Sequence, residues 1–380
     1  VRYIQTPDFG VGLSILPASV RVGDVGALCC DSMVQAAVRG ARNLVDYTQG
    51  VTMRNTSFVL LTITGQRQMG NTVVTELSDD TGNEYVHHLE YDNVTGVFAI
   101  WAEYHNRSGE ARVLESLQSF SLSGIFNPAR DALGTEGLRL IRMTSAWSRE
   151  CRLKTDEFSA LGLDMSWGRY GVKCERFGEV GSMPNRGYFP FAAIAGGGVT
   201  WAVMLEAPYS WQIEVYKERE TCALSGGLAD YEFGHWCKQV PPGGGFKTRR
   251  AYLCVKETEN IEDVCNAFVH FQNDRLRVPE SEESMPVIFN EYCTTWGTPS
   301  EENILAILES LRGLPIGIFV IDAGWYLPEN CGWCNAIGDW NESKKLFPGG
   351  IEQVSAAIRA AGMKAGVWFE FENVGRDSEK

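Results

Sequence analysis

The feature that most constrains the fold is a change in the spacing of the apolar residues between residues 258 and 286. Before this region, short runs of β-branched and aromatic residues are separated by Gly, Asn, Asp and Pro, a pattern typical of antiparallel strands. After it, apolar strands alternate with segments whose apolar residues recur at helical spacing, a pattern typical of parallel βα units. The sequence therefore predicts two parts of different fold class.

Residues 1–258 are predicted to form a large antiparallel β-sandwich. The strand pattern extends from Phe58 to about Tyr252, and residues 97–104 and 138–143 are typical strands within it. Strands that recur with turn residues between them indicate two packed antiparallel sheets.

Residues 211–215 show the period of two most clearly. Trp211, Ile213 and Val215 alternate with Gln212 and Glu214. Because successive side chains of a strand point to opposite faces, this alternation predicts a half-exposed strand with its polar face in solvent.

A helix and a linker are predicted over residues 259–285. Ile261, Val264, Cys265, Phe268 and Phe271 recur at helical spacing. Residues 275–285 are then polar and acidic and include a proline, as expected of a linker. We therefore expect a domain boundary there, with the next domain at 286–380.

Residues 286–380 are predicted to contain three parallel strands, at 287–290, 316–321 and 365–369, with a helix after each of the first two. The strand at 316–321 is almost wholly apolar, as expected of a strand buried on both faces. A capping box, with Thr298 as the cap, Pro299 in the first turn and Glu301 three residues after the cap, predicts where the first helix begins.

This alternation predicts the first three strands of a (β/α)8 TIM barrel, a fold whose sites lie at the C-terminal ends of the strands. A doubly wound dinucleotide-binding sheet is the rival, but no glycine-rich fingerprint opens the first helix. Because a barrel typically needs about 250 residues, we expect it to be incomplete within this chain.

Net charge and cysteine content limit the partners and the compartment. A net charge of −14 disfavours nucleic acid and an anionic membrane surface as partners, because both are negative. No apolar run long enough to span a bilayer and no signal peptide is present, and the 11 cysteines lack the spacing of a disulfide scaffold. We expect a cytoplasmic protein, with self-association into a homo-oligomer left open.

No cofactor or metal is expected. Cys331 and Cys334 have the spacing of a zinc or redox pair, but no second pair of Cys or His follows at a suitable distance. A pair of loop thiols is the simpler interpretation.

Polar and aromatic residues follow all three strands of the second part. The candidate pocket residues are Asn290, Glu291, Tyr292 and Trp296, then Asp322, Trp325 and Tyr326, then Trp368, Glu370 and Glu372, with Asp339 and Trp340 from the loop between the second and third strands. Carboxylates accept hydrogen bonds from sugar hydroxyls, and indoles stack on the apolar faces of sugars, so the pattern favours a carbohydrate pocket. Any one strand-end aspartate, taken alone, is more often a helix cap.

Five runs of residues resemble the successive motifs of the family 36 glycoside hydrolases, the α-galactosidase or melibiase family, in order and spacing. They are NEYCTTWGTP at 290–299, IDAGWY at 321–326, GDW at 338–340, FPGG at 347–350 and GMKAGVWFE at 362–370. Residues 146–150 and 234–236 resemble that family's N-terminal β-domain, and the resemblance extends from about residue 90 onward. It implies a substrate that is an α-galactoside or a related oligosaccharide.

The resemblance also implies roles for single residues. Carried over, Asp322 binds galactose hydroxyls and Trp368 forms part of the sugar platform, while Tyr292 stands where tryptophan is common. Ala323 stands where many members have a second aspartate, so one contact to a sugar hydroxyl is expected to be lost or supplied by another residue. We expect Tyr292, Asp322, Trp325 and Trp368 to bind substrate. Asp339 and Glu370 are expected to support them.

The family is a retaining one that uses an aspartate nucleophile and an aspartate acid/base, and both are expected beyond Lys380. By this resemblance the complete protein is an α-galactosidase-type glycosidase, and the 380-residue chain alone is expected to be inactive. Two alternatives stay open. One is a non-catalytic sugar-binding or structural fragment, and the other is an enzyme that transfers α-galactosyl groups to oligosaccharides.

Overall fold

The computed structural model describes residues 1–6, 10–28, 31–40, 60–164, 174–327 and 332–379. The chain separates into two compact units, Val1–Arg275 and Leu276–Lys380. The predicted domain limits at residues 258 and 285 stay predictions.

The first unit consists mostly of antiparallel strands, as the sequence predicts. Its described strands are β1 (Arg2–Thr6), β2 (Gly10–Ser14), β3 (Ala36–Val38), β4 (Thr62–Met69), β5 (Thr72–Ser78), β6 (Asn83–Tyr91), β7 (Val97–Asn106), β8 (Arg112–Ile125), β9 (Arg139–Thr144), β10 (Arg152–Glu157), β11 (Cys174–Glu179), β12 (Tyr188–Gly196), β13 (Val199–Leu205), β14 (Trp211–Glu218), β15 (Thr221–Leu228), β16 (Lys238–Val240), β17 (Gly245–Lys247) and β18 (Ala251–Lys256). Two helices accompany them, α1 (Tyr231–Gly234) and α2 (Ile261–Asn273).

These strands form two large sheets and a small one. The ten-stranded sheet has the order β10-β9-β12-β13-β18-β7-β6-β5-β4, with β17 also paired to β7. The six-stranded sheet has the order β11-β14-β15-β8-β16, with β3 also paired to β8, and β1 pairs with β2 alone. Side chains of both large sheets, such as Ile100 and Trp201 from one and Phe120 and Trp211 from the other, share one buried core. The predicted antiparallel architecture is therefore confirmed.

Helix α2 covers the outer face of the ten-stranded sheet. Its Val264, Ala267, Phe268 and Phe271 are buried against residues of β7, β9, β12, β13 and β18. The side chain of Asn260 caps the helix by accepting a hydrogen bond from the backbone N–H of Glu262. The helix thus packs on the first unit.

The predicted half-exposed strand at 211–215 is wrong in one respect. Trp211, Ile213 and Val215 are buried as expected, but Gln212 and Glu214 on the other face are also fully buried. Gln212 donates to the carboxylate of Asp230 at 3.2 Å. Glu214 accepts from Arg176 at 2.6 Å, so partners distant in sequence satisfy a polar face that its own pattern assigned to solvent.

The second unit contains a three-stranded parallel sheet. Its elements are β19 (Val287–Asn290), α3 (Tyr292–Thr295), α4 (Glu301–Ser310), β20 (Ile316–Ile321), α5 (Ile351–Ala360) and β21 (Lys364–Val367). The strand order is β19-β20-β21, so β20 lies in the middle and both neighbours are parallel to it. The predicted order of strands and helices is confirmed, although β21 ends two residues earlier than expected.

Helices α4 and α5 pack on one face of this sheet. Ile304 of α4 and Val354 and Ile358 of α5 are buried in a core with Phe319 and Ile321 of β20. The intervening residues of β20 are only partly buried. The prediction that this strand is buried on both faces is therefore wrong for the part of the unit that the structure describes.

Helix α4 begins two residues later than the capping box predicts. Ser300 is the cap, and its hydroxyl accepts a hydrogen bond from the backbone N–H of Asn303 at 3.1 Å. Glu301 does not reach back to the cap. Its carboxylate accepts from the backbone N–H of Gly349 at 3.0 Å and so joins the helix to the turn before α5.

None of the helices in the described ranges is both long and apolar enough to cross a membrane.

Candidate functional site

The carboxyl ends of the three parallel strands meet at one edge of the sheet, as the parallel arrangement requires. The Asn290 side-chain amide at the end of β19 donates a hydrogen bond of 2.6 Å to the Asp322 carboxylate, which follows β20. At the other side, the backbone N–H of Trp368, which follows β21, donates to the carbonyl of Ile321 at 2.8 Å. Asp322 therefore lies between the ends of its two neighbours.

The Asp322 carboxylate is nearly buried, with 9% of the residue exposed, and both of its oxygens are engaged. One accepts from Asn290, and the other accepts from the backbone N–H of Ala323 at 2.7 Å. A carboxylate offers about four lone-pair directions, so these two bonds leave room for two more donors. This geometry suits Asp322 to accept hydrogen bonds from the hydroxyl groups of a sugar.

Beneath Asp322 lies Glu291, which is fully buried. Its carboxylate accepts a hydrogen bond from the backbone N–H of Asp322 at 2.9 Å and another from the Thr295 hydroxyl. Burial raises the pKa of Glu291 above its ordinary value, and the negative charge of Asp322 adds to the rise, while the two hydrogen bonds oppose it. Glu291 thus fixes the backbone that carries Asp322.

Trp325 and Trp368 are brought together. The Trp325 indole N–H donates to the backbone carbonyl of Trp368 at 3.0 Å, and its ring stacks on that of Trp340 with centroids 6.1 Å apart. Trp325 is only 5% exposed, whereas Trp368 is partly exposed. The structure therefore places Trp368 at the surface of the site and Trp325 behind it as its support.

Tyr292 lies in the first turn after β19 and belongs to an aromatic group at the same edge. Its ring makes edge-to-face contacts with Trp296 at 5.8 Å and with Trp333 at 6.2 Å. The ring of Trp333 also makes an edge-to-face contact with Trp368 at 6.0 Å. Aromatic side chains therefore line the edge on both sides of Asp322.

The two weaker candidates, Asp339 and Glu370, accept hydrogen bonds from other parts of the second unit, Asp339 from distant residues and Glu370 within a local turn. Asp339 accepts from the hydroxyl of Ser378 at 2.8 Å and from the backbone N–H of Glu379 at 3.0 Å. Glu370 lies beyond the end of β21 and accepts from the backbone N–H of Glu372 at 3.1 Å. Their predicted role in supporting the sugar pocket stays a prediction.

Trp333 belongs to this edge although the sequence did not select it, and two of the candidates, Asn290 and Glu291, hold Asp322 in a way that the sequence did not predict. The sequence shows that Asn290 and Glu291 lie at the end of β19. It does not show their hydrogen bonds to Asp322, because these join residues more than 30 positions apart in the chain. Trp333 follows Gly332 in a loop and carries no strand or helix signal.

In the ranges with described coordinates, no three His, Cys, Asp or Glu side chains are grouped as a metal site would need. Cys334 is exposed, and Cys331 lies outside the described residues.

Comparison with known proteins bears on the identity of the chain. Residues 246–380 match the family model described as Melibiase. α-Galactosidase Mel36A of Lactobacillus acidophilus is 22% identical over 305 residues, a match that covers 78% of this chain and 39% of that protein. The C-terminal part of the chain is therefore similar to the melibiase family, and this curated relative is an α-galactosidase.

Solved α-galactosidase structures share the fold of this chain. That of the Lactobacillus brevis enzyme has a TM-score of 0.71 at 19% identity, over 99% of this chain and 54% of that one. A variant of the family 36 α-galactosidase AgaA from Geobacillus stearothermophilus, solved with raffinose, has a TM-score of 0.74 at 16% identity, over 99% and 56%. The chain thus spans about half the length of its relatives.

Proposed function

We propose that the complete protein is a retaining α-galactosidase-type glycoside hydrolase, and that the strand ends of the second unit form the sugar-holding side of its active site. The observation that carries the proposal is the Asp322 carboxylate. Asn290 and the Ala323 backbone hold it in place, and it retains acceptor capacity beside the partly exposed Trp368. The match of residues 246–380 to the Melibiase family model supports the same assignment.

The three parallel strands, in this proposal, are the first three of a (β/α)8 barrel. Their order, the helices α4 and α5 between them, and the placement of Asp322 and Trp368 at the C-terminal edge support it. The nucleophile and the acid/base are proposed to come from later strands of that barrel, beyond Lys380.

Within this scheme the residues of the chain bind and orient the sugar. Asp322 accepts hydrogen bonds from galactose hydroxyls, Trp368 and Tyr292 pack against the apolar faces of the ring, and Glu291 holds Asp322 in register. The nucleophilic carboxylate displaces the leaving group, which takes a proton from the acid/base, and water then releases galactose with retained configuration. Fixed positioning of this kind lowers the entropic part of the barrier.

The proposed substrates are neutral α-galactosides, including oligosaccharides. Raffinose and stachyose are the ligands of two related solved structures, which supports this class. We further propose a cytoplasmic enzyme that needs neither nucleic acid nor a membrane. The net charge of −14 supports that assignment.

The test is hydrolysis of an aryl α-galactoside by the complete natural protein, with release of galactose followed by chromatography. Turnover of the α-galactoside is expected. Turnover of another aryl glycoside but not of this one would overturn the galactose assignment. Binding of galactose without any turnover would favour the non-catalytic alternative, and accumulation of longer oligosaccharides at high raffinose concentration would favour galactosyl transfer.

A further inference from the structure

Trp333 has a position that its sequence context does not suggest. It begins a short 3-10 turn, Trp333–Asn335, in the loop after β20. Its ring makes nearly perpendicular contacts with both Tyr292 and Trp368, at interplanar angles of 86° and 87°. Tyr292 follows β19 and Trp368 follows β21, so Trp333 touches residues from both outer strands of the sheet.

The order of the strands determines where Asp322 lies relative to these contacts. Because β20 is between β19 and β21, Asp322 directly follows the strand that separates those followed by Tyr292 and Trp368. Neighbouring strands are about 4.8 Å apart. The Trp333 ring therefore contacts one aromatic residue from each side of the strand that carries Asp322.

The turn that carries Trp333 is anchored in the unit. Ala336 and Ile337, which follow the turn, are buried in the core beneath the sheet edge. The carbonyl of Asn335 accepts from the backbone N–H of Asp377 at 2.9 Å, and the carbonyl of Ile337 accepts from that of Gly375 at 2.7 Å. These two backbone hydrogen bonds and the buried residues after the turn fix the position of the turn that carries Trp333.

Gly297 leaves the space that the ring occupies. A Cβ atom at this position would lie 2.5 Å from Cδ1 of Trp333, far closer than two carbon atoms can approach. Gly297 also has a φ of +81°, which a residue with a side chain adopts only with strain. The loops after β19 and β20 are therefore fitted to each other around the tryptophan.

We propose that Trp333 is a further substrate-contacting residue, which with Tyr292 and Trp368 forms a three-sided aromatic wall around Asp322. Trp333 is only partly buried, so part of the indole remains available to a ligand. A neutral pyranose whose hydroxyls bind Asp322 packs its apolar C–H groups against this ring, which sets how much room the bound sugar has. The proposal deepens the proposed function and rests on it for the identity of the sugar.

The direct test is hydroxyl-radical footprinting of the complete protein with and without saturating galactose, read out by mass spectrometry at single tryptophans. We expect galactose to reduce the oxidation of Trp333 several-fold. Trp147, which is 91% exposed and lies in the first unit, is the internal reference and is expected to be oxidised equally in both samples.

The energetic test is inhibition by galactose of aryl α-galactoside hydrolysis. Trp333→Ala is expected to raise the inhibition constant of galactose at least about fivefold, because truncation of a central aromatic contact commonly costs more than about 1 kcal/mol. Trp333→Phe, which keeps an aromatic ring, is expected to raise it less. Trp147→Ala is the matched control and is expected to leave the constant unchanged.

Equal oxidation of Trp333 in both samples, or an inhibition constant in Trp333→Ala within twofold of the original, would overturn the proposal. Footprinting uses the unsubstituted protein, so it decides the matter even where a variant fails to fold. A protein that binds galactose and protects Trp333 but hydrolyses no α-galactoside would refute the proposed function and leave this contact standing. Absence of galactose binding would overturn both.

Discussion

The side-chain amide of Asn290 donates a 2.6 Å hydrogen bond to the carboxylate of Asp322, and this bond joins the ends of two adjacent parallel strands. It orients the carboxylate and leaves it able to accept hydrogen bonds from other donors. The backbone N–H of Asp322 is held in turn by Glu291. Asp322 is thus fixed through both its side chain and its backbone, as a preorganised binding group should be.

Asp322→Asn is expected to lower kcat/KM for an aryl α-galactoside about 10- to 100-fold, because a hydrogen bond to a charged group contributes about 1.5–3 kcal/mol. Asn290→Ala is also expected to lower kcat/KM, but by less, because the Asp322 carboxylate remains and loses only the hydrogen bond from Asn290. Steady-state kinetics of the complete protein measures both. Glu302→Gln, on the exposed side of α4, is the control, and equal losses in all three variants would contradict a specific role for Asp322.

The buried Glu291 predicts a pH dependence of stability. The pKa of Glu291 in the folded state is raised above the ordinary 4.5. Its contribution to the free energy of unfolding is therefore fully present below pH 4.5 and is lost as the pH rises through the folded-state pKa. We expect the unfolding temperature of the unsubstituted protein, relative to Glu291→Gln, to fall as the pH increases over this window. Thermal unfolding of the two proteins across pH 4–8 tests this, and parallel curves would be evidence against it.

A second carboxyl group of this kind lies in the first unit. Burial raises the pKa of Glu214 to about 7, and the neighbouring Arg176 guanidinium opposes this rise without cancelling it. The stabilising contribution is present below pH 4.5 and is lost as the pH rises through about 7. At 1.36 kcal/mol per unit, the loss is about 3 kcal/mol.

Glu214→Gln should therefore flatten the pH dependence of the unfolding of the first unit between pH 5 and 8. Calorimetry at several pH values measures the effect. Glu110→Gln, at an exposed position, should reproduce the unsubstituted curve. If the curve for Glu214→Gln instead falls as steeply as the original, Glu214 is not the titrating group.

Gly324 provides a test of the fit between the two loops of the site. Its φ is +101°, and a Cβ atom there would lie 2.0 Å from the carbonyl oxygen of Gly297. Gly313 also has a positive φ, +79°, but a Cβ atom there would meet no atom within 4 Å. Gly324→Ala should therefore destabilise the protein by more than Gly313→Ala, which carries only a backbone cost of about 1–2 kcal/mol.

Urea unfolding of both glycine variants gives the comparison. We also expect Gly324→Ala to weaken galactose binding, because the displaced loop begins next to Asp322, whereas Gly313→Ala should bind galactose normally. Equal free energies of unfolding for the two variants would show that the loops can separate without cost.

The sequence by itself determined the antiparallel character of the first unit, the order of elements in the second, and the strand ends at which polar residues collect. The spacing of apolar residues and the turn residues determine secondary structure over a few positions, so they can be recognised in a single sequence. The motifs that resemble family 36 identified Asp322, Trp325 and Trp368 for the same reason. The two motifs that contain them are local runs of residues at strand ends.

Only the tertiary structure decided which partners those residues take. The sequence predicted that Gln212 and Glu214 face solvent, but in the structure they are buried and bonded to Asp230 and Arg176. The sequence also predicted Thr298 as the cap of α4, where the structure has Ser300. The position of Trp333 between Tyr292 and Trp368 depends on contacts with residues before and after it in the chain. Pairings of this kind depend on how strands are ordered and packed, which no local pattern of residue types encodes.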